Sequence, residues 1–418
     1  MVTIRSRDQV AAHIERQIRV GTPRIVGAEL EWLVVDPAAP RVRPALDRVA
    51  AALGSTPDGT SLPGGSIVTT EPGGQLELSS LPRGGPAPAV DGLRVDVDTV
   101  RARLSRAGLA LSGMGADPLR RPVRLIQSPR YSVMEAHYRR LGEPCATAGS
   151  VMMCSTAAVQ VSLDAGTVGT GVQSTSARWG RAHALGPALV AAFACSPLLE
   201  GAPTGWRSTR QRTWIDLDPS RTRAPAPELG PVEAMTELAL GAQVMTVRDE
   251  SGCCRPAPSG LTFDDWIVSG TPDEDDLAYH LTTLFPPVRL RGWLELRYLD
   301  MLPDPLWQVP VAVATALLDD DAAAEVALAA CEPVAGRWHD AARLATGDPA
   351  LAGAARECLL AAADALPRLG AAGLALEVLA YAERYTARGR CPADDLLDAH
   401  RAGTPVEQLI VHDARAAA

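Results

Sequence analysis

Five glutamates stand where strands should be apolar, and that placement limits the fold more than any other feature of the chain. In RIVGAELEWLVVDP the β-branched content and rough alternation predict a strand over residues 25–35. Glu29 and Glu31 lie two apart in it, so both side chains leave the same face. SIVTTEPGGQLELSS predicts two short strands, IVTTE and QLELS, around a Pro72-Gly73-Gly74 turn. Glu71 ends the first arm and Glu77 lies in the second. VRLRGWLELRYLD predicts another strand, with Glu295 and Arg297 two apart on one face. A lone glutamate on a strand is ordinarily solvated. Five in otherwise apolar stretches are unusual, because acids are depleted in strands and buried carboxylates must be paired or hold a cation. Carboxylates converging on one face would repel unless a cation sat between them, and hard oxygen ligands select Mg²⁺ or Mn²⁺.

The basic residues narrow the chemistry further. The chain has no Lys and no Asn, so all 40 basic residues are Arg. A P-loop lysine, a Schiff-base lysine and a kinase-type strand lysine are therefore excluded. Phosphate chemistry here must use Arg, metal ions or backbone N–H groups. Arg297 beside Glu295, and Arg210 in the Arg-dense segment WRSTRQRTWIDLDPSRT, are the candidates. Each reads equally as a structural Glu–Arg ion pair or as a fork for carboxylate or phosphate. An acid face with Arg forks suggests a nucleoside triphosphate carried on Mg²⁺, with Arg neutralising the transferring phosphoryl group.

Other chemistries find less support. The eight Cys form no CxxC and no zinc spacing, and they read as buried or free thiols. The seven His show no HxxxH or HExxH, and His280 reads as packing or capping. No GxSxG and no GxGxxG after a strand is present. Trp214 and Trp293 lie beside the Arg-bearing segments, where core packing is the default and a pocket wall the alternative. A net charge of -9 argues against nucleic-acid or anionic-membrane binding. No apolar run approaches a membrane span and the N-terminus has no signal-peptide core, so the expected place is the cytoplasm.

Along the chain, helices are expected over residues 3–20, 91–108, 176–196 and 276–285, with a Pro/Gly connector at 82–90. VMMCSTAAVQVSLDAG, from Ser150, reads as a strand with Val159, Val161 and Leu163 on one face and Gln160 and Ser162 on the other. Residues 311–387 read as Ala/Leu helix broken at 347–349 and 367–373. Strands spread between helices from residue 25 to 300 predict one mixed α+β domain spanning 1–418. Its sheet motifs would occupy 25–305 and a helical layer 311–400.

GAELEW, TTEPGGQLELSS, VQVSLD, FACSPLLEG with the W-x-S-x-R-x-x-x-W segment, and HLTTLFPPVRLRGWLELRYLD occur in that order. Together they resemble the glutamate–cysteine ligase family of the plant and actinobacterial type, over about residues 25–305. The GC-rich composition and short length suggest the actinobacterial branch, which feeds ergothioneine synthesis. The resemblance implies a glutamine-synthetase-like fold, a curved antiparallel sheet forming a funnel with helices outside. It implies ligation of L-glutamate to L-cysteine with ATP and Mg²⁺ (or Mn²⁺), through a γ-glutamyl phosphate. Carried over, Glu29, Glu31, Glu71, Glu77 and Glu295 would be the metal acids, with Glu71 near the metal or the substrate amino group. Arg297 would stabilise the transferring phosphoryl, Arg210 would hold glutamate or phosphate, and Gln160 would lie near metal or nucleotide. Ser162 departs from the family, which often has Asn there, so the local substrate contact is left open. The partners implied are small molecules only. A ligase of the same fold acting on a different amine, and a catalytically inert relative, are the competing readings.

Overall fold

The computed structural model describes residues 2–21, 24–54, 62–226, 228–248 and 254–416. At its centre is Ile25–Val35 (β1), an unbroken strand of 11 residues. Around it are Ile67–Thr70 (β2), Leu76–Ser79 (β3), Arg83–Gly84 (β4), Ala110–Ser112 (β5) and Ala158–Asp164 (β6). Val288–Leu290 (β7) and Trp293–Asp300 (β8) complete an antiparallel sheet in the order β7-β8-β6-β1-β3-β2. β4 and β5 pair with the two ends of β1.

Alternation gives the sheet two unlike faces. Val26, Leu30 and Trp32 of β1, Leu76 and Leu78 of β3, Val159, Val161 and Leu163 of β6, and Leu294 and Leu296 of β8 are buried on one side. The other side carries Gly27, Glu29 and Glu31, Glu77 and Ser79, Gln160 and Ser162, and Glu295. The cross-strand register aligns these: Glu31 faces Glu77, Glu29 faces both Ser79 and Gln160, Gly27 faces Ser162, and Ser162 faces Glu295.

Helices pack behind the apolar face. Gly186–Phe193 lies against β8, and Gln308–Asp319 against β6 and against Pro86–Arg106. Pro349–Ala365 packs on both, and on Asp321–Cys331 and Ala372–Arg384. One hydrophobic cluster extends from Ile4 to Val411 and joins sheet and helical layer.

Several boundaries differ from the sequence expectation. The first helix is shorter, Arg7–Gln17, because Ser6 caps it and Ile18 turns extended. The helix expected from residue 91 begins at Pro86, where proline is tolerated in a first turn. The expected connector is thus β4 and the start of that helix. Residues 150–155, expected as strand, finish the helix Cys145–Ser155; a short apolar run does not separate the two by periodicity. Residues 176–196 form two helices, Thr175–Ala184 and Gly186–Phe193. The helix near 276–285 is Glu274–Leu281, started by an Asp273/Asp276 capping box. The last motif is a hairpin rather than one strand: Gly292 at φ +87° turns β7 into β8. The helical layer begins at Gln308 and is also interrupted around 320 and 332–337.

Cys145, Cys154, Cys195, Cys331, Cys358 and Cys391 are free thiols. Cys253 lies outside the described residues. His280 is a packing residue: its ring is buried, stacks on Phe263 with centroids 4.9 Å apart and bonds the Ala239 carbonyl. Among the described residues no helix is long and apolar enough to cross a membrane.

Candidate active site

The polar face of the sheet forms one side of a cavity of about 270 Å³. Glu29, Glu31, Glu71, Glu77, Gln160, Arg210 and Arg297 all line it. Glu295, against the arginine side of that cavity, is buried. The tight turn after β2 delivers Glu71, whose N–H donates to the Gln75 carbonyl at 2.8 Å. Gly73 allows that turn to press on the end of Cys145–Ser155; a Cβ there would come within 2.2 Å of the Cys154 carbonyl oxygen.

The acids are not electrostatically equal. Burial raises Glu31 most, and the charges of Glu71 and Glu77 add to it, so its pKa is pushed up to about 8. Glu29 rises to about 7 through burial, then Glu295 and Glu77. Glu71 also rises to about 7, through burial and Glu77. Burial would raise Glu295 as well, but the Arg297 and Arg289 guanidiniums override it and hold this carboxyl at about 2. Arg289 Nε donates to Glu295 Oε2 at 2.9 Å and its Nη2 to Oε1 at 2.8 Å. Arg297 Nη1 donates to the same Oε1 and to Gln160 Oε1. The other end of Gln160, Nε2, donates to Glu31 Oε1 at 2.9 Å. Gln160 thus bridges the arginine-compensated acid and the uncompensated ones.

A β-bulge aims Arg297 into the cavity. The β8–β6 register shifts between Leu296 and Leu299, and the Arg297 N–H turns to the Pro287 carbonyl at 2.9 Å. Arg210 comes from the helix Thr209–Leu217. Ser208, the cap of that helix, donates its hydroxyl to Asp300 Oδ1 at 2.9 Å; Ser196 Oγ and the Cys195 N–H donate to Oδ2. Buried Asp300 thereby fixes the helix against the end of β8. Arg210 Nη2 then reaches the Arg297 carbonyl at 2.7 Å, while its Nε and Nη1 are buried with no protein partner. Buried donors left this way are ready for an anionic ligand.

The remaining arginines of the central segment are structural. Arg207 pairs with Asp394, Arg212 with Asp216 and Arg221 with Asp218. Sequence reasoning passed over Arg289, Arg130 and the Met134, Met152 and Met153 wall, all lining the cavity. For Arg289 the signal was present: the Arg291-Gly292 turn folds it onto Glu295. Trp214 and Trp293, whose default was core packing, instead line cavities, and Trp293 is 37% exposed.

Among the described residues no group of three or more His, Cys, Asp or Glu side chains is arranged to hold a metal ion. The acids therefore line an open cavity rather than form a closed cage. The donor set nevertheless fits hard divalent cations: it is all oxygen, and its raised pKa values report charges that want neutralising. Glu295 Oε1 is the exception, being already shared by two arginines.

Two solved structures share this fold, an antiparallel sheet with helices behind it. Glutamate–cysteine ligase of Francisella tularensis in complex with AMP matches with a TM-score of 0.55 at 12% identity, over 96% of this chain and 89% of that one. A bifunctional glutathione synthetase from Pasteurella multocida matches with a TM-score of 0.53 at 15% identity, over 98% of this chain and 53% of that one. The chain spans about half the length of the latter. These likenesses establish the fold alone. Residues 25–412 match Glutamate-cysteine ligase family 2 (GCS2), and the chain belongs to that family. It is 42% identical over 409 residues to glutamate–cysteine ligase EgtA of Mycolicibacterium smegmatis, covering 95% of this chain and 92% of that protein. It is 41% identical over 395 residues to the EgtA of Mycobacterium tuberculosis H37Rv, covering 90% and 86%. The chloroplastic glutamate–cysteine ligase of Arabidopsis thaliana is 29% identical, over 62% of this chain and 50% of that one.

Proposed function

We propose that this protein joins the γ-carboxylate of L-glutamate to the α-amine of L-cysteine at the expense of ATP, giving γ-glutamylcysteine, ADP and phosphate, in the context of ergothioneine synthesis. The observation that carries the reading is the acid row facing Arg297 and Arg210 in one cavity. Such a site brings a dicarboxylate and a triphosphate together, which acids alone would repel. In the reaction a γ-carboxylate oxygen attacks the γ-phosphorus of ATP and ADP leaves. The cysteine amine, losing a proton, then attacks the acyl carbon and phosphate leaves.

Each residue has a place in that scheme. Glu29, Glu31, Glu71, Glu77 and Glu295 are the residues that would hold Mg²⁺ or Mn²⁺, with Gln160 beside them; Glu295 Oε1 is the oxygen for which a cation competes with arginine. The cation supplies charge neutralisation between carboxylate and triphosphate. Arg297 binds the transferring phosphoryl through its planar fork, held by Gln160 and Glu295. The unpartnered Nε and Nη1 of Arg210 take a glutamate carboxylate. Glu71 also lies where the substrate ammonium would need a counter-charge. The whole chain works as one catalytic unit on small molecules, in the cytoplasm.

The test is phosphate release with ATP, Mg²⁺ and L-glutamate, with and without L-cysteine, and mass detection of the dipeptide. Cysteine-dependent release with γ-glutamylcysteine formed supports the reading. Glutamate-dependent release that ignores cysteine would keep the acyl phosphate and refute this amine. No release at all would refute the ligase reading.

A further inference from the structure

The cavity has a second wall, chemically unlike the acid row. Three elements build it: Pro129–Arg140 carries Met134, Cys145–Ser155 carries Met152 and Met153, and Thr209–Leu217 carries Trp214. Phe285 closes it, with its ring centroid 5.6 Å from that of Trp214 and 5.9 Å from the Arg297 guanidinium carbon. The wall belongs to a small hydrophobic cluster separate from the main core. Met134, Met152, Met153 and Met245 are four of the chain's eight methionines, all in or against this cluster. Met114, Met235 and Met301 are spread through the much larger main core, whereas Met134, Met152 and Met153 stand together on the cavity as soft, polarisable thioethers.

Several polar groups bordering this wall already spend their protons on the protein. Thr156 Oγ1 donates to the Met152 carbonyl at 2.8 Å, and Thr282 Oγ1 to the Tyr279 carbonyl at 2.7 Å while receiving Arg130. Gln75 Nε2 donates to the Thr156 carbonyl at 3.0 Å and its Oε1 receives the Gly73 N–H. Within this cluster Trp214 Nε1 and the Tyr138 hydroxyl are buried with no protein partner, and of the two only Trp214 lines the cavity. An indole N–H can serve a carboxylate but cannot accept a proton from a hydroxyl.

We infer that Met134, Met152, Met153 and Phe285 receive the side chain of the incoming amine substrate and select a thiol over a hydroxyl, while Trp214 Nε1 takes that substrate's carboxylate. The inference rests on the ligase reading and adds the residues that choose the amine. A thiol is a weak donor that packs well against thioethers and rings. A serine hydroxyl set against the thioethers and rings would exchange water for weak acceptors, a penalty equivalent to about tenfold or more in kcat/KM. L-2-Aminobutyrate, which replaces the thiol by a methyl group, should fit the wall.

The experiment measures kcat/KM for L-cysteine, L-2-aminobutyrate and L-serine with saturating ATP, Mg²⁺ and L-glutamate. The wild-type protein should prefer both cysteine and 2-aminobutyrate to serine by about tenfold or more. Met152→Gln and, separately, Met134→Gln put an amide in the wall and should narrow the cysteine-to-serine ratio several-fold. A ratio cancels any general loss of activity, and Met152, only partly buried, tolerates the change in a folded protein. Equal use of serine by the wild type overturns the inference, as does an unchanged ratio in both variants. No turnover with any amine instead overturns the ligase reading on which it depends.

Discussion

Replacing Glu31 by Gln should stabilise the protein while stopping its turnover. In the folded chain burial, then Glu71 and Glu77, push the Glu31 carboxyl up to about 8 from 4.5. The folded state therefore binds this proton more tightly than the unfolded chain does. A carboxyl raised in this way contributes stability that is complete below about pH 4.5 and is lost as pH rises through about 8. The stability lost by linkage amounts to roughly 3 kcal/mol at pH 7 but less than about 1 kcal/mol at pH 5. Gln carries no charge and keeps an oxygen for Gln160 Nε2, which now bonds Glu31 Oε1 at 2.9 Å. Its own amide group, less well bonded, costs about 1 kcal/mol. A net gain of about 2 kcal/mol near pH 7.5 remains. Thermal melts in chelator at pH 5 and pH 8 read it: the two proteins should melt together at the lower pH and separate by a few degrees at the higher. Excess Mg²⁺ should close the gap by stabilising the wild type alone. Cysteine-dependent phosphate release should fall about 100-fold or more. A gap that does not grow with pH, or a variant that melts lower at pH 8, would refute the reasoning.

Three further substitutions probe the rest of the site. Arg297→Lys keeps the charge but loses the planar guanidinium, whose Nη1 bonds both Glu295 and Gln160, and should lower kcat about 100-fold in steady-state assays with the melt unchanged; full activity would make Arg297 structural. Glu295→Gln leaves Arg289 and Arg297 buried without their counter-charge, so denaturant unfolding should show a loss of about 3–5 kcal/mol together with loss of metal-dependent nucleotide binding. Near wild-type activity there would remove Glu295 from the site. Asp300→Asn weakens the anchor of Ser196 and Ser208 and should raise the KM for glutamate about tenfold, through Arg210, with a smaller change in the KM for ATP; equal effects on both would argue for general loosening.

The strand content of the site was legible because alternation is a local property. Glu29 and Glu31 could be assigned to one face from spacing alone, and the register then brought Glu31 opposite Glu77 and Glu29 opposite Gln160. What spacing could not reveal was contact across long stretches of chain. Asp300 meets Ser196 and Ser208 about a hundred residues away, and nothing local marks it as the anchor of Arg210. The methionine wall was hidden for a related reason. Met152 and Met153 sit in an apolar run that periodicity reads as strand as readily as helix, and only the packing of three helices turns them to the cavity. Arg289 was missed because VRLRGWLELRYLD was read as one strand; once Gly292 is seen as a turn, the Arg289–Glu295 pairing follows.

The opposite stability signs expected for Glu31→Gln and Glu295→Gln express one property of the site. The acid row is compensated at one end and bare at the other: Arg289 and Arg297 hold Glu295 at about 2, whereas Glu31, toward the β3 side, stands at about 8. A cation placed at the arginine end would meet existing positive charge, and one placed at the bare end would relieve repulsion. A transferring phosphoryl group would have the reverse preference, since its negative charge would be stabilised by Arg297 and opposed by Glu31, Glu71 and Glu77. Gln160 is neutral, sits between the two ends and bonds both Arg297 and Glu31. The row is thus a charge gradient, which would orient a substrate carrying both a phosphoryl group and a cation in a single sense along the sheet.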